Sequence, residues 1–145
     1  MAKPVVIVVG ADKGGVGKTT VSRTLLDYFS ANNVQTRAFD TESPRGTLKR
    51  FHPDITEIVD MTTTADQMKI FDTLNSGPAV TVIDVRAGLL SPALASLRDG
   101  SWLTPGALLV VEEAKAASFA VPDGFEELER RAYDDTEFVF LREKV

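Results

Sequence analysis

The sequence is poor in the residues that carry sulfur and imidazole chemistry: its 145 residues include no cysteine and one histidine. Without cysteine, disulfides and thiolate metal sites are excluded. His52 has no metal-ligand companion nearby and precedes Pro53, so we expect an ordinary loop residue. Long hydrophobic runs are missing too, since the N-terminal run Val5–Val9 is too short for a secretory signal or a membrane span. These absences predict a cytoplasmic protein without a membrane anchor.

Positive charge is also in short supply. The chain has 16 Lys and Arg against 21 Asp and Glu, a net charge of −5. Nucleic-acid binding normally needs an excess of basic residues on one face, so the composition does not support DNA binding. The small basic clusters at 45–50 and 130–131 are typical of solvated surface. A hydrophobic content of 43% over this length predicts one domain, residues 1–145, with a real core.

Apolar runs of strand length alternate with helical patterns along most of the chain. Strands are predicted at 5–9, 36–39, 79–83, 107–111 and 137–141, with a further short edge strand at 55–59. Helices are predicted at 18–31 and 65–74, and further helical patterns cover 92–97 and 124–133. This alternation predicts an α/β fold, a three-layer sandwich with a mostly parallel twisted sheet, whose ligands bind beyond the carboxyl ends of the strands.

The first strand runs into a glycine-rich segment that ends in Gly17, Lys18 and Thr19. Glycines let backbone N–H groups approach a phosphate closely, a lysine can contact the β and γ phosphates, and a threonine hydroxyl can bind Mg²⁺. The positive end of the following helix points toward the same anion. The segment therefore predicts a phosphate-binding loop and a sheet of the P-loop NTPase type. The expected phosphate-binding residues are Gly14, Gly15, Val16, Gly17, Lys18, Thr19 and Thr20.

Two further strand ends carry acidic residues. Asp40 and Glu42 follow the second strand and project to the same side of an extended segment, where they can serve Mg²⁺ and an attacking water together. A capped surface turn is the alternative for this pair. Asp84 ends the strand at 79–83 in a Walker B pattern, and its carboxylate is expected to hold Mg²⁺ through a water, opposite Thr19.

The segment from Lys13 to Thr19 resembles the deviant phosphate loop of the ParA/MinD family of ATPases. In that family an aspartate follows the loop lysine by 22 residues, which is the interval from Lys18 to Asp40 here. The resemblance implies a Mg²⁺-dependent ATPase switch that forms a homodimer when ATP is bound, with Lys13 crossing the interface to the partner's nucleotide. It also implies that Asp40 is a metal-shell or switch carboxylate and that Glu42 orients the attacking water. Plasmid or chromosome partition, or plasmid maintenance, with a stimulating partner protein, is the implied role.

The chain departs from the family pattern at several positions. Glu42 replaces an aspartate, and the extra methylene moves the carboxylate by about 1 to 1.5 Å, a misplacement that can cost roughly a hundredfold in rate. Arg86 stands where the family has proline, with a salt bridge to an acid such as Glu42 or an internal arginine finger as its alternative roles. Family members continue well beyond Val145, so the resemblance implies a missing C-terminal part that includes adenine recognition.

Three other functions stay open at this point. A non-hydrolysing nucleotide-binding scaffold is consistent with Glu42 and Arg86. A conjugative-transfer ATPase of the same family would have a similar loop and second strand. A small-molecule kinase or synthetase with a phosphate-binding loop would need a polar acceptor pocket, for which the sequence offers no residue set.

Overall fold

The computed structural model describes residues 5–10, 18–41, 46–85, 108–117 and 119–144. Within these ranges, seven strands form a single sheet and three α-helices connect them. A short 3₁₀ turn, Lys115–Ala117, follows the fifth strand. The elements in chain order are β1 (Val5–Val9), α1 (Lys18–Ala31), β2 (Thr36–Asp40), α2 (Thr47–Phe51), β3 (Thr56–Ile58), α3 (Thr64–Leu74), β4 (Val80–Asp84), β5 (Leu108–Ala114), β6 (Phe125–Tyr133) and β7 (Thr136–Glu143).

The sheet has the strand order β3-β2-β4-β1-β5-β7-β6. The first five strands of this order run parallel to one another, whereas β7 is antiparallel to both β5 and β6. The prediction of an α/β fold with a mostly parallel sheet is therefore confirmed, and all six predicted strands are present. β1 lies between β4 and β5, so its carboxyl end is at the centre of the parallel part of the sheet.

Alternate residues of the central strands divide the core into two layers, as the period of a β-strand requires. Ile7, Val9 and Val82 pack with Leu26 of α1 and Leu48 of α2 on one face. The opposite face carries a larger cluster in which α3 packs against the sheet; its members include Val6, Val8, Phe39, Ile70, Leu74, Ile83 and Leu109. None of the helices in the described ranges combines the length and apolar character that a membrane crossing needs.

The prediction of a helix at 124–133 is wrong, because these residues form strand β6. Glu, Leu, Arg and Ala favour helix, but propensity is a weak signal that tertiary pairing overrides. β6 pairs with β7 along almost its whole length, through a two-residue turn in which Asp134 has a left-handed φ of 53°. β6 lies at the sheet edge, which explains why most of its residues are charged and exposed. The other predicted helical segment, 92–97, lies outside the described residues.

Helix α2, which the sequence analysis missed, connects β2 to β3. The helix has only five residues, shorter than any hydrophobic period can reveal. It follows Gly46, whose φ is 61°, and a Cβ atom at Gly46 would meet the Ile58 side chain. Glycine is therefore favoured at this position by the backbone conformation, and a larger residue would also require the Ile58 side chain to move.

Candidate functional site

Three neighbouring parallel strands, β2, β4 and β1, end at the same level on the carboxyl edge of the sheet, and β5 reaches this level at Glu112, two residues before its own end. Asp40 of β2 is in register with Asp84 of β4, Asp84 with Val9 of β1, and Val9 with Glu112 of β5. Residues in register on parallel strands project to the same face, so the three acidic side chains lie on the face that α1 covers. Asp40, Asp84 and Glu112 are almost fully buried, with exposed fractions of 1%, 3% and 1%.

The end of β1 is fixed by main-chain hydrogen bonds to both neighbouring strands. The Val9 carbonyl accepts a hydrogen bond from the Val85 N–H at 2.7 Å, and the Gly10 N–H donates to the Glu112 carbonyl at 3.4 Å. Gly10 is buried, and the chain next enters a described element as α1, which begins at Lys18. The glycine-rich segment therefore connects the central strand to a helix that packs on the same sheet.

The structure describes only some of the predicted phosphate-binding residues. Lys18, Thr19 and Thr20 form the first turn of α1, as predicted. Seven other residues singled out from the sequence lie outside the described residues: Lys13, Gly14, Gly15, Val16, Gly17, Glu42 and Arg86. Their expected roles stay predictions.

Asp40 has a structural contact that the sequence analysis did not anticipate. Its Oδ2 atom accepts hydrogen bonds from the backbone N–H groups of Leu48 at 2.8 Å and Lys49 at 3.4 Å. These N–H groups belong to the first turn of α2, where no helical carbonyl is available to them. The positive end of the helix dipole also stabilises a carboxylate at this position. Asp40 thus holds α2 against the carboxyl edge.

Asp84 joins the end of β4 to the segment after β2 through its main chain. Its carbonyl oxygen accepts hydrogen bonds from both the N–H and the hydroxyl of Thr41, at 3.1 and 3.0 Å. Thr41 is itself buried. This double contact helps to keep Asp40 and Asp84 at one level on adjacent strands.

Glu112 and Glu113 are the candidate site residues that the sequence analysis missed. The predicted strand ended at residue 111, whereas β5 continues to Ala114 and includes both glutamates. They project to opposite faces, and both are buried, with Glu113 Oε1 accepting a hydrogen bond from the Ala114 N–H at 2.8 Å. Two acidic residues directly after an apolar strand are the signal that was available, because ionised side chains are rarely buried without a specific reason.

A cleft of about 550 Å³, with polar and apolar residues in its lining, opens beyond the carboxyl end of β5. It lies between the 3₁₀ turn and the β6–β7 turn, which are joined by a hydrogen bond of 2.8 Å from the Lys115 N–H to the Asp135 carbonyl. Its lining includes Lys115, Tyr133, Asp134, Asp135 and Thr136. The cleft extends the carboxyl edge beyond the three buried acids, on the side away from β2.

The described residues do not assemble a metal site. In the ranges that the structure covers, no group of three or more His, Asp or Glu side chains is placed so that it can hold a metal ion. Asp40 and Asp84 are near each other by register, but Asp40 is engaged with α2. The geometry therefore gives no support to the predicted Mg²⁺ ligands.

Comparisons with known proteins return structural neighbours but no family. No family model matches the chain, and no curated protein matches it. Among solved structures, yhhF of Escherichia coli, described as a candidate methyltransferase, is similar with a TM-score of 0.43 and 18% identity, over 87% of this chain and 85% of that chain. A candidate methylase of Haemophilus influenzae is similar with a TM-score of 0.41 and 16% identity, over 87% of this chain and 98% of that one. A hypothetical protein of Thermus thermophilus is similar with a TM-score of 0.39 and 16% identity, over 91% of this chain and 87% of that one.

These findings correct the resemblance to ParA/MinD ATPases. The neighbours that carry a functional description are described as methyltransferases or methylases, and no family model supports the resemblance. The predictions that depended on it are withdrawn: an ATP-driven switch, ATP hydrolysis, ATP and Mg²⁺ as cofactors, and a role in plasmid partition, plasmid maintenance or conjugation. The nucleotide-binding scaffold is withdrawn as well. The homodimer and the stimulating partner protein are untested and stay predictions.

The same neighbours do not carry methyl transfer over to this chain. Their TM-scores of 0.39 to 0.43 and identities of 16 to 18% are too low for an argument about activity. What the comparisons and the structure leave is an α/β sheet whose carboxyl edge carries buried acids and a cleft, with a glycine-rich sequence between its central strand and α1. Function has to be argued from these features.

Proposed function

We propose that the chain binds the phosphate group of a small ligand at the carboxyl edge of its sheet, through the segment between β1 and α1. The observation that carries the proposal is the position of this segment. It follows the central strand of the parallel sheet and leads directly into a helix at Lys18. A glycine-rich sequence that ends in Gly-Lys-Thr indicates a phosphate-binding loop when it follows a strand and precedes a helix.

The roles of the individual residues follow from their chemistry. Gly14, Gly15 and Gly17 leave backbone N–H groups accessible to phosphate oxygens, and Lys18 supplies a positive charge at the start of α1. Lys13 adds a second positive charge to the same segment. The finer part of the fold prediction, a sheet of the P-loop type, is proposed together with this site. In such α/β sheets, ligands bind in the crevice outside the carboxyl ends of the strands.

The test is calorimetric titration with inorganic pyrophosphate, which presents phosphate oxygens without any other group. We expect the wild-type chain to bind it and Lys18→Ala to weaken binding about tenfold or more, because a charge-assisted contact is lost. Lys69→Ala is the matched control, since Lys69 is an exposed lysine on α3, where it pairs with Glu57 and Asp66. Its affinity for pyrophosphate should equal that of the wild type.

Two results would contradict the phosphate site. One is a wild-type chain that does not bind pyrophosphate, and the other is an equal loss of affinity in both lysine variants. S-adenosylmethionine, a common methyl donor, serves as a second probe in the same experiment. Binding of this compound that Lys18→Ala leaves unchanged, with no binding of pyrophosphate, would replace the proposal with a site for methyl transfer.

A further inference from the structure

The cleft beyond the carboxyl end of β5, here called the β5 cleft, is built on paired main chain. Its volume of about 550 Å³ is in the range of small-molecule sites. Ala114 of β5 is in register with Thr136 of β7, and the Lys115 N–H donates to the Asp135 carbonyl. Backbone hydrogen bonds therefore fix the spacing of its two walls. These walls are the segments 114–116 and 133–136.

Three charged side chains line the β5 cleft: Lys115, Asp134 and Asp135. All three residues are exposed, and none of them forms an ion pair within the part of the chain that the structure describes. The adjacent strands differ in this respect, since Arg130 of β6 pairs with Glu137 of β7 at 2.6 Å. The charged groups of the cleft thus stay open to contact with a ligand.

Tyr133 adds an aromatic surface to the wall that carries the two aspartates. Its ring packs edge-to-face against Phe138, with the ring centres 6.0 Å apart and the planes at 74°. Tyr133 is nevertheless 57% exposed, so this contact orients the ring and leaves much of it accessible. Aromatic faces attract cations, as carboxylates do. The β6–β7 side of the cleft is therefore suited to an ammonium group.

The opposite wall carries the other sign of charge. A simple cation in the cleft would meet Lys115, and a simple anion would meet Asp134 and Asp135. A molecule with both an ammonium group and a carboxylate finds a counter-charge on each wall. The hydrogen bond from Lys115 to Asp135 places these walls about one strand spacing apart, roughly 5 Å between backbones, so a short carbon chain can join the two groups. The methyl groups of Ala114 and Ala116 provide apolar contacts for such a chain.

We infer that the β5 cleft binds a small zwitterion, with its ammonium group at the β6–β7 turn and its carboxylate at Lys115. The chemical class comprises free amino acids and short ω-amino acids. The position agrees with the rule that ligands of parallel sheets bind outside the carboxyl ends of the strands. This inference goes beyond the proposed phosphate site and does not depend on it.

The experiment titrates the chain with 4-aminobutyrate and with 6-aminohexanoate at low salt, where exposed charges are screened least. Backbone amide chemical shifts measured by NMR report binding. Each zwitterion is compared with the amine and the carboxylic acid of the same chain length, which carry one charge each. We expect at least one of the two zwitterions to bind about fivefold or more tightly than its amine and its acid, because only the zwitterion contacts both walls.

Substitutions that remove one charge at a time assign the two contacts. Lys115→Met should lower the affinity for the zwitterion to that of the amine. Asp134→Asn/Asp135→Asn should lower it to that of the acid, and asparagine also accepts the left-handed backbone at position 134. Lys144→Met and Asp72→Asn, at exposed positions outside the cleft, are the matched controls and should keep the wild-type affinity.

Several results would overturn the inference. One is that neither zwitterion binds, and another is that both bind no better than the amines, which would make the cleft a cation site. Wild-type affinity in Lys115→Met, or an equal loss in Lys144→Met, would also overturn it, provided that thermal unfolding followed by circular dichroism shows both variants to be folded. Pyrophosphate titration of the same wild-type sample reports separately on the proposed function, since these zwitterions carry no phosphate.

Discussion

Glu143, near the end of β7, has a pKa that burial raises above its usual value. Its Oε2 atom is shielded from solvent and has no hydrogen-bond partner among the described residues. Folding therefore shifts the equilibrium of this carboxyl toward its neutral form. Below the pKa of the unfolded state both states are protonated and this position has no effect. As pH rises through the unfolded and then the folded pKa, the folded chain must bury a charge, and stability falls.

Replacement of Glu143 by glutamine removes the ionisable group at nearly the same volume. We expect Glu143→Gln to become more stable relative to the wild type as the pH rises from about 4 to about 7, because the buried charge no longer forms. Urea unfolding at both pH values measures the difference. Glu126→Gln, on the exposed strand β6, is the control, and a difference that does not change with pH would rule out this explanation.

At the residue scale, the sequence placed Asp40 and Asp84 at strand ends, and the structure has them at the last positions of β2 and β4, in register on adjacent strands. Their role in a common site stays a prediction. The hydrogen bonds from α2 to Asp40 could not be foreseen, because α2 leaves no periodic pattern in the sequence. Glu112 was missed because a strand boundary was placed at the last apolar residue, although main-chain pairing with β7 extends the strand past it.

At the scale of elements, Gly46 controls how α2 meets β3. Gly46→Ala places a Cβ against the Ile58 side chain and forces alanine into a left-handed conformation, so we expect a loss of about 1 to 2 kcal/mol in unfolding free energy. Chemical denaturation measures this loss. Because α2 is also held by Asp40, the variant should weaken the packing of α2 on the carboxyl edge.

A second substitution distinguishes the two causes. Valine lacks the Cδ1 atom of isoleucine, which is the atom nearest to the added Cβ. If crowding contributes, Ile58→Val should be less destabilising in the Gly46→Ala background than in the wild type, where a loss of about 0.5 to 1.5 kcal/mol is expected. Strict additivity of the two losses would leave backbone strain as the sole cause.

Elements were predictable in proportion to the strength of their hydrophobic pattern. α1 and α3 were predicted to within a residue, and every predicted strand is present, since each buries one or two apolar faces. β6 was assigned to a helix because its exposed face carries helix-forming residues, and only its pairing with β7 decides its conformation. Local propensity is least informative for such an edge strand.

At the scale of the whole molecule, charge protects the free edge of the sheet. Glu129 and Arg131 of β6 form an ion pair at 2.7 Å on the exposed strand. Surface ion pairs stabilise a fold very little. The expected effect of this pair is to disfavour the pairing of β6 with a strand of another chain. Together with the bulge between Glu127 and Glu129, it makes β6 a poor template for pairing with another chain.

Removal of this charge pair should therefore change association more than stability. We expect the double variant Glu129→Val/Arg131→Val to form oligomers that sedimentation detects at concentrations where the wild type shows none. Arg50→Val/Asp72→Val removes one charge of each sign from exposed helix positions and is the matched control. Equal association of both variants would indicate general surface hydrophobicity rather than an unprotected edge.

The central position of β1 also governs the order of events during synthesis. β1 is synthesised before the other six described strands, yet its two neighbours are β4, at residues 80–84, and β5, at residues 108–114. At translation rates of about 5 to 20 residues per second, an apolar strand waits several seconds with both edges unpaired. During this interval the nascent chain is exposed to chaperones and to mispairing. A chain truncated before residue 108 lacks β5, so one edge of β1, the strand that precedes the glycine-rich segment, stays unpaired.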